Sequence, residues 1–253
     1  MVLDDVQRRI DDCKAKINAE RPLTLSETEH LRDEFIIGFT YNSNAIEGNT
    51  MTLDETALVL REGITIDGKS LREHMELIGH REACLYVEDL VRQQAPLDEK
   101  MIRHIHSLVL MDRREDRGKY RRVPVMITGT QAKLPMPWEV PLKIEQLLFA
   151  YHCEMQKLQA IERAALLHLH FETIHPFIDG NGRTGRLLMN LELMKEGLSP
   201  IDVKYQDRAR YMACFRDWDA TKDATPMALL IGEYLLSRME EYLRILEMAN
   251  GHR

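Results

Sequence analysis

Apolar residues recur at helical spacing through most of this chain, and the polar breaks fall where helices begin and end. In the charged stretch 3–20, Val6, Ile10 and Ile17 share one stripe, which predicts a short amphipathic helix stopping at Arg21-Pro22. Thr24 with Glu27 forms a capping box, and Leu31, Phe35, Phe39 and Ile46 carry the apolar face of the next helix to Gly48. Two further boxes, Thr52 with Glu55 and Ser70 with Glu73, open a short helix ending at Gly63 and a longer one running to about Gln94. Leu71, Met75, Ile78, Leu85 and Leu90 are the expected core face of the longer one. After Pro96, Met101, Ile102, Ile105 and Leu108 mark another buried face. Helical patterns resume from Pro137 to about Lys157 and from Ile161 to about Thr173, the second burying Ala164, Ala165, Leu167 and Leu169. Leu187, Leu188, Leu191 and Met194 place a helix start near Asn181, and 207–220 and 226–248 predict two more. One stretch departs from the pattern. Val123-Pro124-Val125-Met126-Ile127-Thr128 has strand composition, turns near Gly129 and stays extended to Pro135. The expected fold is mainly α, with one exposed strand pair.

Composition narrows the class. The chain of 253 residues is 44% hydrophobic, enough for a packed core in one large domain or two small ones, and no stretch reads as a linker or repeat. Its net charge of -7 argues against a general nucleic-acid binder, though a local basic pocket is compatible with it. Cys13, Cys84, Cys153 and Cys214 lie far apart without a CxxC pair, which suggests buried thiols in a reducing compartment. Asp4 and Asp5 stand where a signal peptide would be basic, and no apolar run reaches membrane-spanning length. A cytoplasmic protein with no membrane partner is expected.

Chemistry concentrates in His175-Pro176-Phe177-Ile178-Asp179-Gly180-Asn181-Gly182-Arg183-Thr184-Gly185-Arg186. Helix first turns expose unpaired N–H groups and the positive end of the macrodipole. Arg183 and Arg186 sit in that turn on one face, each the wrong sign for the dipole by about 0.3–1 kcal/mol and each repelling the other. A polyanion reverses both penalties. Gly180 and Gly182 let a phosphate approach the backbone, and the arginines can grip its oxygens in bidentate fashion. Asp179 is a hard oxygen ligand suited to Mg²⁺, which binds through one or two carboxylates plus substrate phosphates. His175 is the side chain best able to take a proton near neutral pH.

Other titratable groups carry weaker signals. His104 and His106 lie about 200° apart on their helix at roughly 100° per residue, so they are read as structural. His168 and His170 could join His175 and Asp179 in a metal cluster, but helical spacing sends them to different sides. Glu47 is an anion in the last turn of its helix, where the dipole disfavours it, and from physics alone it reads as a solvated carboxylate.

Residues 175–186 resemble, position by position, the HxFx(D/E)GNGRxxR signature of the Fic domain family, with His175, Phe177, Asp179, Gly180, Asn181, Gly182, Arg183 and Arg186 filling every defined place. The resemblance implies a Fic-type helical bundle with a small β-hairpin flap over the active site. It implies a nucleotidyltransferase that moves AMP from ATP to a Ser, Thr or Tyr hydroxyl of a target protein. His175 would be catalytic, Asp179 would hold Mg²⁺ or Mn²⁺, and Gly180, Asn181, Gly182, Arg183 and Arg186 would bind phosphate, with Phe177 packed under the loop. Ser43 to Gly48 fits the family's (S/T)xxxE(G/N) inhibitory pattern, in the class whose inhibitory helix precedes the core. Glu47, with Ser43, would then autoinhibit by pairing with Arg186. Gly118-Lys119-Tyr120-Arg121 resembles the GxYR element before the flap, along which a target protein would dock. Tyr205 and Tyr211 become candidates for adenine contact, with packing as their default. The implied division is 1–95 as an N-terminal helical region with the inhibitory helix at about 25–48, 96–200 as the catalytic core with the flap at about 122–135, and 201–253 as C-terminal helices packed on it. Two alternatives stay open: a deAMPylase or bifunctional enzyme in which Glu47 positions water, and a catalytically idle regulatory or toxin-like partner. A homo-oligomer is compatible with either.

Overall fold

The computed structural model describes residues 2–20, 22–126 and 133–251, and every regular element among them is helical. Ten α-helices follow in order: α1 (Leu3–Ala19), α2 (Leu25–Ile46), α3 (Leu53–Glu62), α4 (Leu71–Arg92), α5 (Glu99–Val109), α6 (Val140–Cys153), α7 (Ala160–Ile174), α8 (Asn181–Lys195), α9 (Arg208–Thr221) and α10 (Thr225–Gly251). All three predicted capping boxes are formed, so Thr24, Thr52 and Ser70 each start a helix where the sequence placed it. The helix expected from Pro137 to Lys157 is instead three pieces, with one-turn 3₁₀ segments at Pro137–Glu139 and Met155–Lys157 flanking α6.

The antiparallel pair α7–α8 is the axis of the molecule. One side of α7 (Ile161, Ala164, Ala165, Leu169) and of α8 (Met189, Leu193) packs with Val6 and Ile10 of α1 and Leu230, Ile231 and Leu235 of α10. The other side (Leu167, Phe171, Ile174, Leu187, Leu188, Leu191) packs with residues of α2, α4, α5 and α6. A helix pair covered on two sides can hold rigid whatever its ends display. α1 reaches α10 closely because Gly232 has no Cβ: one built there would lie 2.4 Å from Val6 Cγ1.

Two expectations are corrected. Leu71 was expected in the core but is 74% exposed, being the first residue after the Ser70 cap. Leu90 is buried as expected, and the rest of the buried face of α4 runs through His74, Glu76, Leu77, His80, Ala83, Cys84 and Val87, a mixed polar and apolar face that a hydrophobic pattern cannot reveal. The strand pair is absent among the described residues: Val123–Met126 form no strand, and 127–132, with the expected turn at Gly129, lie outside them.

Candidate active site

α7 ends on His175, which caps the helix in the left-handed conformation (φ 47, ψ 61) with its N–H on Phe171 O at 2.9 Å. A β-carbon makes that conformation cost about 1–2 kcal/mol, so something must hold it. Arg121 does. Its Nε donates to His175 O at 2.8 Å, its backbone N–H to Pro176 O at 2.9 Å and its Nη2 to Pro135 O at 2.5 Å. One buried guanidinium thus fixes the histidine and ties both ends of the segment expected to form the flap. Sequence reading placed Arg121 only in a charge-rich loop and a family motif.

The loop after His175 is shaped from beneath. Phe177 is fully buried and stacks on His106, ring centroids 3.6 Å apart and planes within 1°. His106 Nδ1 accepts from Gly118 N–H at 2.9 Å, so its proton sits on Nε2, which donates to Asp179 O at 2.9 Å. Burial pushes His106 down to about 4, which keeps it neutral for this double role. Read from sequence as structural, it is the prop of the signature loop. Asn181, one of the residues expected at the phosphate, also shapes the loop: its Oδ1 accepts from Phe177 N–H and its Nδ2 donates to Phe177 O, both at 2.9 Å. What the start of α8 offers an anion is the backbone N–H groups of the first turn, ahead of the Thr184 N–H to Gly180 O bond that begins the ladder.

α2 ends directly against that turn. Arg186 is buried, and donates from Nε to Ser43 Oγ at 3.0 Å and from Nη2 to both Ser43 O and Glu47 Oε1 at 2.8 Å. Arg183, also buried, donates from Nη1 to Asn44 Oδ1 at 3.2 Å and lies 3.6 Å from Glu76 and 3.5 Å from Asp179. Arg208 takes Ile46 O at 2.9 Å. Three arginines therefore serve the C-terminal end of α2, where cations are favoured. Burial works against the Arg186 charge, but Tyr211 and Glu47 outweigh it and hold the guanidinium above its ordinary range. The Glu47 carboxylate also lies over Gly182, with Oε1 2.1 Å from where a β-carbon would stand. It occupies the place an anion at the start of α8 would take.

Asp179 is reached by guanidinium groups: Arg113 Nη2 at 2.9 Å and Arg72 Nη2 at 3.1 Å on Oδ2, while Oδ1 accepts from Gly180 N–H at 2.6 Å. Among the described residues no three His, Cys, Asp or Glu side chains converge as a metal cage. A single, partly exposed carboxylate fits a cation that brings its remaining ligands with a phosphate, as Mg²⁺ does. The alternative histidine cluster is not assembled: His168 Nε2 is bonded to Tyr211 OH at 2.5 Å and His170 packs edge-on against Trp218.

Tyr211 is buried, its hydroxyl shared with His168 and 3.4 Å from Arg186 Nη1, and it offers no free face for adenine in this state. Tyr205 is half exposed and its N–H is capped by Asn42 Oδ1 at 2.9 Å. His80, at the back of the site against Thr40, and His168 are wholly buried; burial first, then the nearby arginines, pushes His80 well below its ordinary 6.5 and His168 down to about 3. The sign follows. Below pH 6.5 the unfolded chain protonates these rings while the folded chain does not, so stability falls as pH drops from 6.5 toward 3. At pH 5 His168 alone should cost about 2 kcal/mol relative to pH 7, with His80 adding in the same direction. Urea unfolding at the two pH values measures this, and equal midpoints would contradict it.

A histidine held at a helix end, a glycine turn and a second helix opened by two arginines define a Fic catalytic core. The family model for the Fic/DOC family matches residues 96–193. The chain belongs to that family: a Fic domain containing signaling protein from Bacteroides thetaiotaomicron is 30% identical and superposes with a TM-score of 0.84 over 96% of this chain and 98% of that one. Fic-1 from C. elegans is 26% identical, with a TM-score of 0.83 over 98% of this chain and 72% of that one. The Protein adenylyltransferase Fic of Drosophila erecta is 35% identical over 212 residues, 81% of this chain and 42% of that protein. The Nematostella vectensis protein of the same name is 39% identical over 181 residues, 68% of this chain and 40% of that protein. The chain thus spans about two-fifths of the length of these curated relatives.

Proposed function

We propose that this protein transfers AMP from ATP to a hydroxyl of a target protein, and that Glu47 paired with Arg186 is its off state. The observation that carries the reading is the anion seat at the start of α8. First-turn N–H groups, a glycine without a β-carbon and the Arg186 guanidinium converge there, and a carboxylate of the chain itself sits in it. The relatives named adenylyltransferases supply the reaction class.

In the reaction, the target hydroxyl gives its proton to His175 while its oxygen bonds to the α-phosphorus. The α–β anhydride bond breaks and pyrophosphate leaves with the electron pair. The α8 amides and Arg186 stabilise the charge developing on the departing phosphates. Asp179 would hold Mg²⁺ or Mn²⁺, which when bound neutralises phosphate charge; Arg72 and Arg113 would give up the carboxylate to it.

The protein target would lie along the flap segment. Lys133, Leu134 and Pro135 border a cleft of about 610 Å³ shared with α6 and the end of α7, and Trp138, next in the chain to the lining residue Glu139, stands exposed. Exposed apolar groups around a concavity suit a polypeptide partner. Cys13, Cys84 and Cys214 are buried free thiols as expected, whereas Cys153 is exposed; free thiols fit a reducing compartment such as the cytoplasm.

Parallel incubations with ATP labelled at the α or the γ position test the reaction class. Label entering protein from the α position alone is expected. Label from the γ position alone would replace the reading by phosphoryl transfer, and label from neither, with the Glu47→Gly form, by an idle interaction protein.

A further inference from the structure

We propose that Glu172 is a positioning residue for His175: it holds the imidazole with the proton on Nδ1, leaving Nε2 to receive the proton of the attacking hydroxyl. The inference rests on His175 being the proton acceptor, as set out above.

Glu172 stands in the last turn of α7, just before the histidine that caps it. Its Oε2 lies 3.5 Å from His175 Nδ1. Both His175 Nδ1 and Glu172 Oε1 are shut off from solvent without a hydrogen-bond partner. A buried polar atom left alone costs about 1–3 kcal/mol, and the acceptor within reach of Nδ1 is Glu172 Oε2, slightly beyond bonding distance. Hydrogen bonds of catalytic groups often stand long in the unliganded protein and tighten around substrate. Since Nδ1 is the buried nitrogen, the part of the ring that keeps some exposure, 19% for the side chain, leaves Nε2 for the reactants.

The other carboxylate oxygen is turned toward α8. A β-carbon on Gly185 would come within 2.7 Å of both Glu172 Oε1 and His168 Nδ1, so the glycine in the signature is what lets Glu172 lie against α8. His168 continues through Tyr211 to Arg186. An acceptor at Nδ1 also stabilises the imidazolium that forms once Nε2 is protonated.

The test is long-range ¹H–¹⁵N correlation of ¹⁵N-histidine-labelled protein, at a pH high enough to leave the ring neutral, with the His175 signal assigned by its loss in His175→Ala. The wild-type ring is expected as the Nδ1–H tautomer, the reverse of free histidine's preference. Glu172→Gln, which keeps an acceptor oxygen, should retain that tautomer, and Glu172→Leu should lose it. In a Glu47→Gly background, Glu172→Leu should lower kcat by about 10- to 100-fold and Glu172→Gln by less, with KM for ATP unchanged. A packing role alone would make leucine at least as good as glutamine. A wild-type ring protonated on Nε2, or equal kcat for the two variants, overturns the proposal. If Glu172→Leu does not fold, the wild-type tautomer and the glutamine variant still decide it. If the Glu47→Gly form transfers no AMP, the proposed function fails while the tautomer continues to report on Glu172.

Discussion

Replacing Glu47 by glycine raises AMP transfer and self-modification by about tenfold to a hundredfold. The size comes from the bond removed. A hydrogen bond between charged partners contributes about 1.5–3 kcal/mol, and the Glu47–Arg186 contact competes within the molecule for the seat that ATP phosphates would take. The substitution should act on the nucleotide and leave the site standing. Arg186 keeps its bonds to Ser43 Oγ and Ser43 O, and Ile46 O keeps Arg208, so the end of α2 stays docked. Glu47 itself is a helix-end residue at φ -90 and ψ 1, which glycine adopts freely. The measurement is incorporation of label from α-labelled ATP, together with calorimetric affinity for a non-hydrolysable ATP analogue. Tighter nucleotide binding with more transfer is the expected pair. Unchanged binding and unchanged transfer would remove Glu47 from control, and faster loss of AMP from a modified target in the wild type than in the variant would favour the deAMPylase alternative.

Much of the helical layout is legible because these helices carry their own boundary marks. Thr24, Thr52 and Ser70 each meet a glutamate in a capping box, and Gly63 takes the left-handed cap its chain position suggests. Legibility fails where burial is polar. α4 buries Glu76 against Arg183 of α8 and His80 against Thr40 of α2, so its apolar residues alone miss part of the buried face and mark the exposed Leu71 as core. The strand composition has a different weakness at Val123–Met126, the part of that stretch described: β-branched residues reflect a fit to neighbours that only the rest of the chain can provide.

The site divides in the same way. Residues proposed to face a ligand stand out by being unfavourable without an anionic partner, as Arg183 and Arg186 do at the positive end of a helix. Residues that hold those groups in place give no such signal. Arg121 is one more cation in a charged loop until its three bonds to His175, Pro176 and Pro135 are seen, and His106 is one of two histidines on a helix until Phe177 stacks on it. Asn181 has a role its place in the loop does not reveal: its amide closes the turn on the backbone of Phe177.

His175→Ala should lower AMP transfer about 10²- to 10⁴-fold while leaving nucleotide binding within a few-fold of the parent, the range that general-base catalysis contributes. The separation between the two effects follows from the layout. The groups that would hold phosphates belong to α8 and its preceding turn, and they are fixed by α2, α5 and the α7–α8 packing, none of which uses the imidazole. The left-handed backbone at 175 is kept by Arg121 and Phe171 through main-chain atoms, so alanine inherits the same conformation and the same cost. His175→Asn is the matching control, since asparagine tolerates that conformation better but is no base. Both variants in the Glu47→Gly background should bind an ATP analogue and transfer almost nothing. If alanine still moved labelled AMP at the parent rate, proton removal by His175 would be wrong; if asparagine alone restored transfer, the histidine's contribution would lie in backbone shape instead of chemistry.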